Sequence, residues 1–137
     1  KESLRCHPPG HFVMPHAVSQ PCQLGGYDIP TDAWVNFFVT AIATDPGAWE
    51  KPLQFRPERF ADEGAEADLT GTKEIKMMPF SAGRRICPGI ELGLLHMHLV
   101  VARLVQEFKW ECKAGETVDL SELQELTMVL KHPLPAI

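Results

Sequence analysis

The stretch Pro79-Phe80-Ser81-Ala82-Gly83-Arg84-Arg85-Ile86-Cys87-Pro88-Gly89 sets a thiol behind two adjacent arginines, among Pro79, Gly83, Pro88 and Gly89, which disfavour helix. From Ile90 to Phe108 the chain then turns long and apolar. Proline suits the first position of a helix, where its missing N–H costs nothing, so Pro88 predicts a helix start with Cys87 at its N-terminus. The positive partial charge of that end favours a thiolate, and Arg84 and Arg85 push the same way. Gly83 and Gly89 remove side chains on either side, which lets backbone approach a flat or bulky group. Phe80 supplies an apolar wall.

Three readings compete for Cys87. An isolated cysteine is most often a small buried hydrophobe. A nucleophile needs a base beside it, whereas His96 and His98 lie well along the following helix and would point away from its start. A thiolate with arginine available for an anionic group fits axial ligation of haem, with its propionates. Chemistry alone ranks the ligand above the nucleophile and leaves the question open.

The remaining composition narrows the setting. The chain has 137 residues, 45% hydrophobic, with 13 basic and 18 acidic side chains and a net charge of −5. Those values fit globular structure and give no sign of a nucleic-acid partner. No signal-peptide pattern is present. Ile90 to Phe108 carries Glu91, His96, His98, Arg103, Gln106 and Glu107, so it does not read as a membrane span. Cys6, Cys22, Cys87 and Cys112 include no C-x-x-C pair, so neither zinc nor, without a secretory signal, disulfides are expected. The chain opens on Lys1 within a helical pattern, and only Pro133 and Pro135 lie beyond the first ninety residues. Such dense punctuation predicts a loop-rich C-terminal piece of a longer protein.

Coarse elements follow from the punctuation. Residues 1–6 predict the end of a helix, stopped by His7-Pro8-Pro9-Gly10. Strands are expected at Phe12–Met14, Tyr27–Pro30 and Trp34–Thr40, with turns at Gly25-Gly26 and Thr31-Asp32. Asp45-Pro46-Gly47 to Lys51-Pro52 brackets a turn around Trp49. The acidic run Asp62, Glu63, Glu66, Asp68 predicts a solvated loop. Ile90, Leu94, Val101, Leu104 and Phe108 form one face of the long helix, and Leu92, Leu95, Leu99 and Ala102 make the other apolar, so the helix is expected to be buried. Strand pairs are expected in the tail around Ala114-Gly115 and across Asp119 to Val129. Trp34, Trp49 and Trp110 read as packing residues.

The cysteine stretch resembles the haem-binding signature of cytochromes P-450, F-x-x-G-x-R-x-C-x-G, matched by Phe80, Gly83, Arg85, Cys87 and Gly89. Glu2-Ser3-Leu4-Arg5 is similar to the E-x-x-R of that family's K helix, and Pro57-Glu58-Arg59-Phe60 to its P-E-R-F motif, in the family's order. The likeness also takes in His7-Pro8-Pro9, Gly26 to Pro30, Asp45-Pro46 and Trp49. Thr44 stands where members often carry a basic residue.

The resemblance implies an α+β fragment of the mainly-α cytochrome P-450 fold. It would hold one long buried helix after the cysteine loop, small β-sheets and a loop-rich meander. Residues 1–137 would be the C-terminal, proximal haem-binding part of a single domain, running from the K helix to the C-terminus of a plant microsomal member. The cofactor implied is haem b (iron protoporphyrin IX), with Cys87 its axial iron ligand, Arg85 and His16 facing propionates, and Phe80, Gly83 and Gly89 shaping its surroundings. Glu2, Arg5 and Arg59 would form a structural salt-bridge triad. No catalytic residue carries over, because the family's oxygen-handling helix would lie upstream, with the membrane anchor.

By the same resemblance the parent is a haem-thiolate monooxygenase at the cytoplasmic face of the endoplasmic reticulum membrane. It would use O2, a small organic substrate, and NADPH-cytochrome P-450 reductase. Apart from the resemblance, Lys73, Lys76, Arg84 and Arg103 lie around the thiolate loop of an otherwise acidic chain, and read either as a basic face for an acidic electron donor or as ordinary solvated charges. The alternative is a haem-binding or packing fragment without activity of its own.

Overall fold

The computed structural model describes residues 1–61, 67–112, 115 and 117–134. In chain order these form helix α1 (Glu2–Cys6), strands β1 (His16–Ala17), β2 (Cys22–Leu24), β3 (Tyr27–Ile29) and β4 (Trp34–Val35), helix α2 (Val39–Ala43), 3-10 turns at Pro57–Phe60 and Gly83–Arg85, helix α3 (Ile90–Glu107), and strands β5 (Glu122–Gln124) and β6 (Met128–Leu130). Each sheet is an antiparallel pair: β1 with β4, β2 with β3, β5 with β6. The Gly25-Gly26 turn joins β2 to β3, both glycines having positive φ. The tail hairpin expected across Asp119 to Val129 forms as β5–β6. Ala114, Asp62, Glu63 and Glu66 lie outside the described residues.

Three local expectations are corrected. Trp34–Thr40 is strand only at Trp34–Val35, and Val39–Ala43 turns into helix despite its β-branched residues. Val39 and Ala43, one turn apart, are both buried there, and this burial overrides propensity. Phe12–Met14 is no strand; Phe12 makes a single bridge to Phe38, and pairing begins at His16. The long helix forms where expected but is not buried. Only Ile90 and Leu94 reach the core, whereas Leu92, Leu95 and Val105 are 61%, 64% and 66% exposed.

Two apolar clusters organise the chain. One gathers Leu4, Ala43, Trp49, Ala67, Leu69 and Met77; the other Val13, Val39 and Met78. At the edge of the first sits a buried charge cluster. Arg5 is 0% exposed and forks onto Glu2 through Nε and Nη2, each 2.8 Å from a carboxylate oxygen. Arg59 Nε donates to Glu2 Oε1 at 3.1 Å, and the Arg56 amide donates to the same oxygen at 2.8 Å. Arg5 Nη1 also donates to the Ala43 carbonyl at 2.7 Å, which satisfies the C-terminal end of α2. The expected Glu2–Arg5–Arg59 ion-pair geometry is therefore present.

Burial works to raise the Glu2 pKa, but the hydrogen bonds from Arg5, Arg56 and Arg59 overcome it and bring the carboxyl from 4.5 to about 2. A depressed pKa contributes stability that is complete above the unfolded value and lost as pH falls through the folded one. In the intact protein, acid titration from pH 4.5 to about 2 should therefore remove on the order of 3 kcal/mol. Glu2→Gln should cost about 3–5 kcal/mol at neutral pH by leaving the guanidinium of Arg5 buried and unpaired, and should flatten that acid limb. Urea unfolding followed across pH checks both.

Candidate functional site

A cleft of about 760 Å³ lies between the segment Pro9–Ala17, with Trp34 and Val39 behind it, and the cysteine loop. Cys87, Arg85, Phe80 and Pro88 line it from the loop side, and His16 from the other. The structure thus brings together Cys87, Arg85, Phe80 and His16 from the expected site set. Gly83 and Gly89 do not line the cleft, and Glu2, Arg5 and Arg59 form the separate buried cluster described above.

The loop is shaped by a few local bonds. The Cys87 amide donates to the Phe80 carbonyl at 2.9 Å, closing residues 80–87 into one turn. Gly83 has a φ of +69°, the left-handed region that glycine enters without strain, and nothing lies within 4 Å of where its Cβ would stand. Its role is conformational, not the close approach expected from sequence. At Gly89 a Cβ would stand 4.0 Å from Cys87 Sγ, so this glycine leaves the sulfur's flank open.

The helix start differs from expectation by two positions. Gly89 is the N-cap of α3 and Pro88 precedes it, so Pro88 is not the first helical residue and Cys87 stands in the loop just ahead. The Ile90 amide still reaches back to the Cys87 carbonyl at 3.4 Å.

The charged and polar groups of the cleft are uncommitted. Arg85 is exposed and forms no ion pair among the described residues. His16 Nδ1 is buried without a hydrogen-bond partner, a state that normally costs free energy unless a ligand or water answers it. Its ring meets Phe37 edge-on, with centroids 6.0 Å apart. A thiol, a free guanidinium, an orphaned imidazole nitrogen and apolar walls suit a flat apolar group with anionic edges. All four cysteines are free.

Several residues behave otherwise than sequence reading expected. Trp49 does more than pack: its ring lies 5.2 Å from the Arg5 guanidinium and 5.8 Å from that of Arg59, and its Nε1 donates to the Lys76 carbonyl at 3.0 Å. Trp34 is 72% exposed and belongs to the cleft. Trp110 is exposed at the end of α3, donating to the Leu104 carbonyl. Asp68 is no passive loop charge. Its carboxylate accepts from the Thr72 hydroxyl and the Thr70 and Gly71 amides, which hold its pKa well below the usual carboxylate range and staple the turn before the cysteine loop. Thr44, the departure from family pattern, bonds back to the Thr40 carbonyl and ends α2. In the proposed basic face, Lys76 is paired with Glu74 and Arg103 with Glu107, so among the described residues Lys73 and Arg84 are the members without an ion pair.

Comparison with known proteins adds an independent measure. The family model described as cytochrome P450 matches residues 1–137. Cytochrome P450 89A9 of Arabidopsis thaliana is 53% identical over 98% of this chain and 27% of its own length. The flavonoid-6-hydroxylase of Ocimum basilicum is 41% identical over 100% of this chain and 26% of its own. A zebra fish cytochrome P450 structure with abiraterone superposes with a TM-score of 0.79 at 30% identity, covering 95% of this chain and 30% of that one. The chain thus spans about a quarter of the length of these curated relatives.

Gly83→Ala should cost about 1–2 kcal/mol from its left-handed φ alone, and Gly83→Asn less, because Asn tolerates that region. Equal losses for the two variants in thermal unfolding would contradict this account of the loop.

Proposed function

Because the chain belongs to the cytochrome P450 family, we propose that residues 1–137 are the proximal, haem-holding part of a monooxygenase. The enzyme inserts one oxygen atom of O2 into a small organic molecule. The observation that carries the reading is the cleft itself, where Cys87 and the unpaired Arg85 of one loop face the partnerless His16 Nδ1 of a separate segment. Haem b would supply the oxygen activation, with thiolate donation favouring O–O cleavage.

This chain's residues take distinct roles in that reading. Cys87 would hold the iron through its sulfur, its backbone placed by the N–H it donates to the Phe80 carbonyl. Arg85 and His16 would answer the propionates, one with charge and the other with the nitrogen that has no partner among the described residues. Phe80 keeps water from the apolar face of the group. Gly89 leaves the sulfur's flank uncovered.

Substrate turnover belongs, in this proposal, to an intact enzyme in the endoplasmic reticulum membrane. Electrons come from NADPH through NADPH-cytochrome P-450 reductase. Among the described residues no helix is long and apolar enough to cross a membrane. The relatives' flavonoid and other hydroxylase names point to a plant-type small organic substrate.

Reduction of the intact protein under carbon monoxide should give the strongly red-shifted Soret band of thiolate ligation. Cys87→Ala should abolish it, Cys112→Ala should leave it, and Arg85→Leu should weaken haem retention. A Soret band unshifted in the parent protein, or one surviving Cys87→Ala, would sink the assignment.

A further inference from the structure

One wall of the cleft, entered at Pro9 and Gly10, is tied on both sides. On one side Val39 N–H donates to the His11 carbonyl at 2.8 Å and Val13 N–H to the Phe37 carbonyl at 3.2 Å. On the other, Met128 N–H, at the start of β6, donates to the Pro9 carbonyl at 2.8 Å. Pro8 and Pro9 have no N–H, so the wall cannot return a backbone ladder to the β5–β6 hairpin there.

A side chain takes over that task. Glu122 of β5 places Oε1 2.6 Å from His7 Nδ1 and Oε2 3.4 Å from His11 Nε2, spanning both ends of the proline segment. His11 Nδ1 in turn lies 2.7 Å from the Thr40 hydroxyl on α2. With neutral rings, His7 donates through Nδ1–H and His11 through Nε2–H, while the Thr40 hydroxyl donates to His11 Nδ1. One carboxylate therefore links hairpin, cleft wall and α2. The carboxylate is 22% exposed and His11 29%, so the link is partly shielded from water.

We infer that Glu122 is a positioning residue for molecules entering the cleft: by gripping His7 and His11 it fixes the Pro9–Gly10 wall without touching the molecule. The inference rests on the haem-monooxygenase reading of the cleft. Losing the grip leaves the hairpin side of the wall on the Met128–Pro9 bond. A bulky molecule that must press on that wall feels the change, and a small one does not.

The test uses two probes that bind haem iron through the same imidazole nitrogen, imidazole and 4-phenylimidazole, titrated by absorbance into the haem-loaded intact protein. Glu122→Ala should weaken 4-phenylimidazole by about fivefold, as expected for loss of a charge-assisted contact, and leave imidazole within about twofold. Glu122→Gln, which keeps the side chain's size and an accepting oxygen, should fall between. His7→Ala added to Glu122→Ala should change the ratio no further, because the His7 ring hydrogen-bonds no other side chain among the described residues. An unchanged ratio in both Glu122 variants, with the thiolate-type spectrum intact, overturns the inference. Should Glu122→Ala not retain haem, Glu122→Gln and His11→Gln decide by the same ratio. A parent protein without a thiolate spectrum would instead refute the reading on which the inference rests.

Discussion

The rest of the structure hangs on one buried carboxylate. Glu2, 3% exposed, receives the Arg5 fork, Arg59 and the Arg56 amide. Such a cluster contributes little net stability against an apolar replacement, yet it is costly to break. What it secures here is placement. Arg5 carries the bond to the Ala43 carbonyl at the end of α2, and both Arg5 and Arg59 reach the Gln54 carbonyl of the following turn. Segments far apart in the chain are thereby drawn around Trp49, whose ring covers both guanidinium groups.

From Trp49 the constraint passes to the cysteine. The indole N–H holds the Lys76 carbonyl, and the next two residues split between the two cores: Met77 enters the cluster with Trp49, Met78 the cluster with Val13 and Val39. In extended chain, neighbouring side chains point to opposite faces. The pair therefore stitches the cores together and delivers Pro79 to Cys87 to the gap between them. Val13 and Val39 belong to the opposite side of the cleft, so Met78 sets how far apart the walls stand.

Sequence revealed the parts whose chemistry is local. A cysteine, arginine and glycines at fixed spacing, an E-x-x-R one helical turn long and a P-E-R-F run are each legible where they stand; the cleft holds Cys87, Arg85 and Phe80, and the charge cluster Glu2, Arg5 and Arg59. What stayed illegible depends on partners distant in sequence. Trp49 read as filler because Lys76 is 27 residues away, and Glu122 passed unnoticed because His7 is 115 away. Asp68 looked like solvated charge because its partners are hydroxyls and backbone amides of the turn after it, which no composition reveals. Val39 and Thr40 read as the end of a strand because β-branched residues favour it, until burial of one helical face decided otherwise. The apolar girth of α3 correctly marked a helix but not its cover, since Leu92, Leu95 and Val105 face outward here.

The two-residue displacement of the helix start alters the physics of the thiol more than its size suggests. Helix-end charge fades within the first turn, and Cys87 stands ahead of the cap at Gly89, not inside the helix. The helix end therefore gives less to the sulfur than a first-turn placement would. What the loop supplies is placement: the Cys87 amide donates to the Phe80 carbonyl, and Arg85 lines the same cleft. Moving the cysteine out of the helix also brings it to the cleft surface, where an incoming group can reach it. Pro88 and Gly89 are what separate loop from helix: the proline disfavours helical backbone at Cys87, and the glycine leaves the sulfur open on the helix side.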